Sequence, residues 1–192
     1  VEAATTHGVR KDLKDKEVGR WIRALGVADP GSHFDEWWRL VSGVGTTRRR
    51  DAHLGNWVIA PDGRILAIDL EAIGCRPVGY ELAQITDDHK VLAADDWDGR
   101  RRIFQNYRHA RGDCDDPEVE WSAYQASLAA RAIGKLTWSS ATPPEQEHAH
   151  AILNSIAQAA DDNGVRDWAH TSLTAWRRRR GLAELSSGEL NM

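Results

Sequence analysis

Three polar residues in the first half of the chain, Asp51, Asn56 and Asp69, have types and a spacing that suit phosphoryl transfer. In the catalytic loop of a kinase, an Asp accepts the proton of the substrate hydroxyl, and an Asn five positions later binds a metal ion. A metal-binding Asp then follows a short hairpin. Carboxylate and amide oxygens are the ligands that hard divalent cations prefer. The spacing therefore predicts a metal-assisted phosphoryl-transfer site within residues 48–72.

The chain between Asn56 and Asp69 must bring these side chains together, and its pattern indicates how. Two apolar runs, NWVIA and RILAIDL, flank a Pro-Asp-Gly turn at 61–63, in which glycine tolerates a positive φ. The β-branched residues in both runs predict an antiparallel hairpin. A plainer interpretation makes Asp51 a turn residue and Asn56 a strand-end cap. The presence of Asp69 and of the flanking residues favours the catalytic interpretation.

Three short stretches resemble the motifs of a known family. They read RRDAHLGN at 49–56, AIDLEAIG at 67–74 and RPVGYELAQ at 76–84. Together they are similar to H-G-D-x-H-x-x-N, I-D-[WF]-[DE] and D-P-x-x-D-L-A in the aminoglycoside phosphotransferases and their choline-kinase-like and homoserine-kinase-like relatives, which share the protein-kinase fold. The positions that agree are Asp51, His53, Asn56, Ile68, Asp69, Glu71, Pro77, Tyr80, Leu82 and Ala83.

The resemblance implies a role for each residue of the loop and hairpin. Asp51 would be the catalytic residue, while Asn56 and Asp69 would bind the cofactors by holding Mg²⁺ against the phosphates of ATP or GTP. Glu71 would be either a further metal ligand or a surface carboxylate, and His53 is expected to pack beneath the loop as a structural residue. The implied partners are a nucleotide and a small molecule with a hydroxyl group, such as an aminoglycoside, a sugar or an amino alcohol.

Two substitutions and one missing region separate this chain from the family pattern. Arg49 stands where the family has the first His of its loop, and Arg76 stands where it has the Asp of its last motif. The mostly β nucleotide lobe of the family has no counterpart in residues 1–47, whose pattern is helical. We therefore expect a carboxy-terminal lobe alone, completed by a separate amino-terminal lobe or a partner chain. The same departures support an alternative function, a non-catalytic kinase-like module that binds a small molecule or a protein.

The rest of the sequence predicts a mostly α-helical chain with one small β-hairpin. Apolar residues recur at i, i+3 and i+4 over residues 12–28 and 33–43, and over nearly all of the chain after Tyr80. In the resembled family this arrangement is the helical carboxy-terminal lobe of a protein-kinase-like fold. We expect a single domain over residues 1–192, made of leading helices (1–47), the catalytic loop and hairpin (48–72) and a helical substrate-binding region (73–192).

Composition excludes several classes of protein. A formal net charge of −4 and a pI near 6.1 lack the basic footprint of a nucleic-acid binder. No apolar run approaches the roughly 20 residues that span a bilayer, so a soluble protein without a membrane partner is expected. Cys75 and Cys114 form no CxxC pair, which argues against a thiolate zinc site and favours free thiols in a reducing cytoplasm.

The roles of two charged segments are not determined by the sequence. Asp87, Asp88 and three aspartates at 95–98 would line a cleft for a polycationic acceptor, or would belong to a solvated loop and a helix N-cap, which is the plainer interpretation. The run Arg177–Arg180 is expected at the end of the final helix, where positive charge complements the helix dipole.

Overall fold

The computed structural model of the chain describes residues 2–47, 51–69, 74–112 and 116–181, with side chains from residue 7 onward. Most of this part is α-helical, as the sequence predicts. Within it, no helix is long and apolar enough to cross a membrane. The helices are α1 (Glu2–Lys16), α2 (Val18–Leu25), α3 (Pro30–Val41), α4 (Tyr80–Thr86), α5 (Trp97–Arg111), α6 (Pro117–Thr137), α7 (Pro143–Ala159) and α8 (Asn163–Arg179).

Four short strands form two antiparallel pairs. The predicted hairpin is confirmed: β2 (Trp57–Ile59) pairs with β3 (Ile65–Ala67), and Gly63 in the turn has a φ of +83°. A second pair joins β1 (Thr46–Thr47) to β4 (Arg76–Pro77). The expectation that strands occur only in the hairpin is therefore wrong. Two-residue strands have no periodicity to detect, and their pairing depends on segments 30 residues apart.

The helical pattern over residues 12–28 is divided between α1 and α2 by a break at Glu17. Glu17 leaves helical geometry, with φ −125° and ψ −105°, and its carboxylate accepts a hydrogen bond from the Tyr80 hydroxyl in the interior. The break places Gly19 so close to α1 that a Cβ would lie 2.1 Å from the carbonyl oxygen of Lys14. The apolar periodicity continues across the break, so the pattern alone predicted one helix.

Helix α6 is the centre of the fold. It packs against α2, α3, α4, α7 and α8, and almost every side chain over residues 120–136 is buried. Small residues let the neighbouring helices approach, since a Cβ on Gly134 would lie 3.1 Å from the ring of Trp21. The indole Nε1 of Trp37 donates a hydrogen bond to the carbonyl of Ala126, at 3.1 Å. The small residues of α6 therefore determine how closely five other helices can pack.

Aspartate side chains begin four of the helices. Asp29, Asp96, Asp116 and Asp162 each accept a backbone N–H two or three residues ahead, at α3, α5, α6 and α8. The N-cap interpretation of the acidic segment is thereby confirmed at Asp96. At the opposite end, Arg177–Arg179 occupy the last turn of α8, which is where the arginine run was expected.

The turn from β4 into α4 depends on a glycine. Gly79 has a φ of +85°, a backbone conformation that residues other than glycine rarely adopt. A Cβ at this position would also lie 3.1 Å from the Cβ of Tyr124 in α6. This close approach lets α4 lie alongside α6, and α4 in turn holds the loop that carries Asp51.

Candidate functional site

The loop that begins at Asp51 is fixed to the helical body by its backbone. The N–H of Ala52 donates a hydrogen bond to Oε1 of Gln84 in α4, at 2.5 Å. The carbonyl of the same residue accepts the indole N–H of Trp57, at 2.9 Å. Ala52 itself is fully buried. Because both backbone groups of Ala52 are held, the position of Asp51 is set by α4 and by the first residue of the hairpin.

Asn56 joins the loop to the hairpin. Its side chain is buried, and its Nδ2 donates to the backbone carbonyl of Asp51, at 3.2 Å. Its own carbonyl accepts the N–H of Ile68, at 2.9 Å, so the pairing of β2 and β3 continues as far as the residue before Asp69. Asn56 is therefore hydrogen-bonded to Asp51 and to the residue that precedes Asp69.

Asp69 has an uncommon backbone conformation. Its φ is +55°, and among the described residues it is the one residue other than glycine with a positive φ. Aspartate tolerates this region better than most residues, and such conformations concentrate at functional sites. Its side chain is exposed. The two other residues of interest in this segment, Arg49 and Glu71, lie outside the described residues.

His53 lies on the outside of the loop and not beneath it, so the expectation that it packs under the loop is wrong. Its side chain is 51% exposed, and Nε2 lies 3.7 Å from Oδ1 of Asp51. Its Nδ1 accepts the backbone N–H of Gly55, at 3.1 Å. An accepting Nδ1 leaves the proton of a neutral ring on Nε2, which is the atom nearer to Asp51. His53 thus shapes the loop and also contacts the candidate catalytic carboxylate.

A cleft of about 320 Å³ opens beside the loop, and we call it the Asp51 cleft. The loop forms one wall, through Asp51, His53, Leu54 and Gly55. The other wall comes from the end of α4, from α6 and from the start of α7. Its ionisable lining includes Asp51, Asp87, Asp88, Arg131, Lys135 and Glu145.

Asp87 is the buried acid of the Asp51 cleft. Its Oδ2 accepts a hydrogen bond from Nε of Arg131 at 3.0 Å, and its Oδ1 accepts one from Nζ of Lys135 at 3.1 Å. Lys135 also donates to the backbone carbonyl of Asp87, at 2.7 Å. Burial alone would lower the pKa of Arg131, but the charge of Asp87 raises it above its usual value. The cleft therefore holds a permanent cation beside the candidate catalytic residue.

The expected acidic lining of the substrate region is found only in part. Asp87 and Asp88 line the Asp51 cleft, whereas Asp96 caps α5. Sequence reasoning did not identify Arg131 and Lys135. A signal was present, because these two cations stand four residues apart within an otherwise apolar stretch and so share one helix face.

Arg76, which replaces an Asp of the family pattern, belongs to a separate buried cluster. Its Nη2 donates to Oδ2 of Asp12 at 2.7 Å and also to the carboxylate of Glu17. The hydroxyl of Tyr80 donates to the same Glu17 carboxylate, at 2.8 Å. Burial, together with the charge of Glu17, raises the pKa of Tyr80 well above its usual value. Arg76 therefore fastens α1 to the segment that follows the hairpin.

Asn56 and Asp69 have donor atoms that suit magnesium. An amide oxygen and a carboxylate are hard ligands, and magnesium commonly binds one or two such groups while water and substrate phosphates complete its shell. Through Nδ2 the amide of Asn56 is hydrogen-bonded to the loop, which orients its oxygen. Nowhere in the described part of the chain do three His, Cys, Asp or Glu side chains cluster at metal-binding distance.

No protein-family model, no curated protein and no solved structure matches this chain. The side chains of the loop, the hairpin and the cleft therefore carry the functional inference.

Proposed function

We propose that this chain is the catalytic and substrate-binding lobe of a small-molecule kinase similar to the aminoglycoside phosphotransferases. The observation that carries the proposal is that Asn56 is hydrogen-bonded both to Asp51, which lines a cleft, and to the residue that precedes Asp69. Asn56 contacts the backbone of Asp51 and pairs with the residue before Asp69. This pairing supports a common site for the three residues.

The proposed reaction transfers the terminal phosphoryl group of ATP or GTP to an acceptor hydroxyl. Asp51 orients the hydroxyl and accepts its proton, while the acceptor oxygen forms a bond to the γ-phosphorus. The bond from that phosphorus to the bridging oxygen breaks, and the nucleoside diphosphate leaves. Magnesium held by Asn56 and Asp69 would neutralise the negative charge of the phosphates. Positioning and charge neutralisation supply most of the rate enhancement in this reaction class.

The size of the Asp51 cleft supports a compact acceptor. Ligand sites in proteins commonly enclose about 300–1,000 Å³, and the volume of about 320 Å³ lies at the small end of that range. A single sugar ring or a short-chain alcohol is a better match for it than an oligosaccharide. The lining is polar along both walls, which suits an acceptor with several hydrogen-bonding groups.

The exposed hairpin favours a second candidate function, a non-catalytic module that binds a protein. Ile59 is 78% exposed and Ile65 is 68% exposed, on neighbouring strands. Exposed apolar residues that adjoin one another are typical of interaction surfaces. Under the kinase proposal a separate nucleotide lobe or a partner chain covers this hairpin. Under the second proposal the hairpin is the functional surface, and Asp51 has no chemical role.

Nucleotide binding and phosphoryl transfer, measured with an amino-terminal nucleotide lobe supplied, test the two candidates on three variants. Asp69→Asn should weaken magnesium-dependent binding of ATP and GTP in calorimetry, because it removes a metal ligand. Asp51→Asn should leave that binding nearly unchanged and lower transfer by about 10²–10⁴-fold, the usual contribution of general base catalysis. Asp62→Asn, in the hairpin turn, is the matched control and should change neither quantity. Nucleotide binding that is absent, or indifferent to Asp69→Asn, would favour the binding module.

A further inference from the structure

We propose that the Asp51 cleft binds an anionic group of the acceptor, a carboxylate or a phosphate ester, through the guanidinium of Arg131 with Lys135 beside it. The inference rests on the proposed function, because it places the hydroxyl of the same acceptor at Asp51. It adds the chemical class of the acceptor, a compact hydroxylated anion.

The guanidinium of Arg131 is only partly used by the protein. Its Nε donates to Asp87, at 3.0 Å. Its two terminal nitrogens, Nη1 and Nη2, make no hydrogen bond to any described residue. Neither nitrogen is among the buried polar atoms that lack a hydrogen-bond partner, so both are at least partly accessible to solvent. Arg131 also lines the Asp51 cleft. Two parallel N–H donors on a residue that lines a cleft match the two oxygens of a carboxylate or phosphate.

Two tryptophans hold the plane of this guanidinium. The ring of Trp138 lies 5.1 Å from the guanidinium carbon of Arg131, and the ring of Trp21 lies 5.8 Å away. Only 12% of the Arg131 side chain is exposed. An arginine that is already held by an ion pair and two rings loses little further freedom when a ligand binds. The site is therefore preorganised.

Arg131, Lys135 and Asp87 form a group with a net positive charge, in a cleft whose lining also contains Asp51, Asp88 and Glu145. Asp87 is one carboxylate between two cations, Arg131 and Lys135. The other two carboxylates of this wall accept hydrogen bonds from neutral donors and still add negative charge to the cleft: Asp88 accepts from the backbone of Lys90, and Glu145 from the backbone and hydroxyl of Thr142. Anion binding at this point would therefore depend on the two unpaired terminal donors of Arg131 and not on the net charge of the cleft.

Binding to the 192-residue chain, without nucleotide or magnesium, tests this inference. The probes are four small molecules with hydroxyl groups: glycerol, glycerate, glycerol 3-phosphate and ethanolamine, compared at equal ionic strength. Glycerate or glycerol 3-phosphate should bind about tenfold or more tightly than glycerol, as expected for a charge-assisted bidentate contact. The tighter of the two anions identifies the carboxylate or the phosphate ester as the preferred group.

Arg131→Lys is the decisive variant, because it keeps a positive charge beside Asp87 but removes the pair of terminal donors. Anion affinity should fall by about tenfold. Arg101→Lys is the matched control, since Arg101 also lies over a tryptophan, Trp121, and pairs with an aspartate, Asp161, but does not line the cleft. It should leave anion affinity unchanged.

A second measurement applies to the unmodified chain, and so does not depend on the folding of a variant. The indole N–H resonance of Trp138, assigned with Trp138→Phe, should shift when either anion is added and stay in place with glycerol. Equal affinity for glycerol and both anions, equal behaviour of Arg131→Lys and Arg101→Lys, or a preference for ethanolamine would overturn the inference.

The outcomes for the two proposals can be separated. Anion binding that depends on Arg131 would stand even if no phosphoryl transfer occurred, and the proposed kinase function would then fail alone. Transfer to neutral or cationic acceptors, by a chain that does not bind either anion, would overturn the acceptor class and leave the kinase function in place.

Discussion

Arg76 and Arg131 are two arginines in buried ion clusters, yet they engage opposite ends of their guanidinium groups. Arg76 directs its terminal nitrogens into the protein, toward Asp12, Glu17 and the carbonyl of Cys75. Arg131 donates to its carboxylate partner through Nε alone, its terminal nitrogens make no hydrogen bond to a described residue, and the residue lines the Asp51 cleft. Only 2% of the Arg76 side chain is exposed, against 12% for Arg131.

The difference separates a structural ion cluster from one that is able to bind a ligand. A buried charge without a partner is costly. A cluster whose charges all pair with one another therefore serves to link two segments of the chain. A cluster that keeps a pair of donors at a cleft retains capacity for a further anion. The residue type is the same in both, and the direction of the side chain determines which role follows.

Arg76→Met should have the largest effect on stability. It leaves the buried carboxylate of Glu17 without its arginine, while Asp12 keeps its pair with Lys16, and breaking a buried pair from one side typically costs about 3–5 kcal/mol. The free energy of unfolding in urea measures the loss. Binding of glycerate or glycerol 3-phosphate, under conditions where the variant remains folded, should be unchanged. A loss below about 1 kcal/mol, as for an exposed ion pair, would contradict the structural role.

Arg131→Met should cost less stability and abolish anion binding. The carboxylate of Asp87 keeps one hydrogen bond from Lys135, which also donates to the backbone carbonyl of Asp87, so we expect a loss of about 2–3 kcal/mol, typical of a single hydrogen bond to a charged group. Urea unfolding and calorimetric titration with the two anions measure the two effects on one sample. If the variant lost as much stability as Arg76→Met and bound anions normally, the distinction between the clusters would be wrong.

His33 extends the comparison to a buried polar pair without a charge. Its Nε2 lies 3.1 Å from the hydroxyl oxygen of Ser172, and burial lowers the pKa of His33 to about 4, with Glu36 opposing the shift. The unfolded chain, whose histidine has the ordinary pKa of 6.5, binds the proton more readily in the interval between the two values. Stability is therefore fully present above that interval and falls as the pH is lowered through it.

The expected size of this effect is about 2 kcal/mol between neutral pH and about pH 4, somewhat less than the full pKa difference implies because the ring is not entirely shielded. Urea unfolding across this range measures it. His33→Gln should flatten this part of the pH profile, and His170→Gln, at an exposed position, should not. Identical profiles for both variants would contradict a neutral His33 in the folded protein.

Arg64→Met should have the smallest effect on stability. It provides the reference against which the effects of the other three changes are compared. Arg64 pairs with Asp62 in the hairpin turn at 2.7 Å, but both side chains are more than half exposed. Exposed pairs contribute about 0–1 kcal/mol, and salt screens them further. The change in unfolding free energy should be no larger than the error of the measurement. A larger loss would show that the hairpin is held more rigidly than its exposure indicates.

Much of the local structure could be predicted from the sequence. The apolar spacing predicted the buried faces of α2 and α3, the Pro-Asp-Gly turn predicted the hairpin, and Asp96 was correctly interpreted as an N-cap. These features depend on residues within a few positions of one another. The placement of His53 could not be predicted, because a histidine at a loop is equally able to pack beneath it or to lie on its outer side.

The sequence by itself determined which residues can do chemistry here and the short-range structure that carries them, because helix, turn and hairpin preferences act between near neighbours. Only the tertiary structure decided which charges meet. Arg76 reaches Glu17 across 59 positions, and Arg131 reaches Asp87 across 44. No local preference connects residues at these separations. They meet because the packing of α1, α4 and α6 buries carboxylates that would be costly to leave without a cation, and that packing leaves one guanidinium facing a cleft.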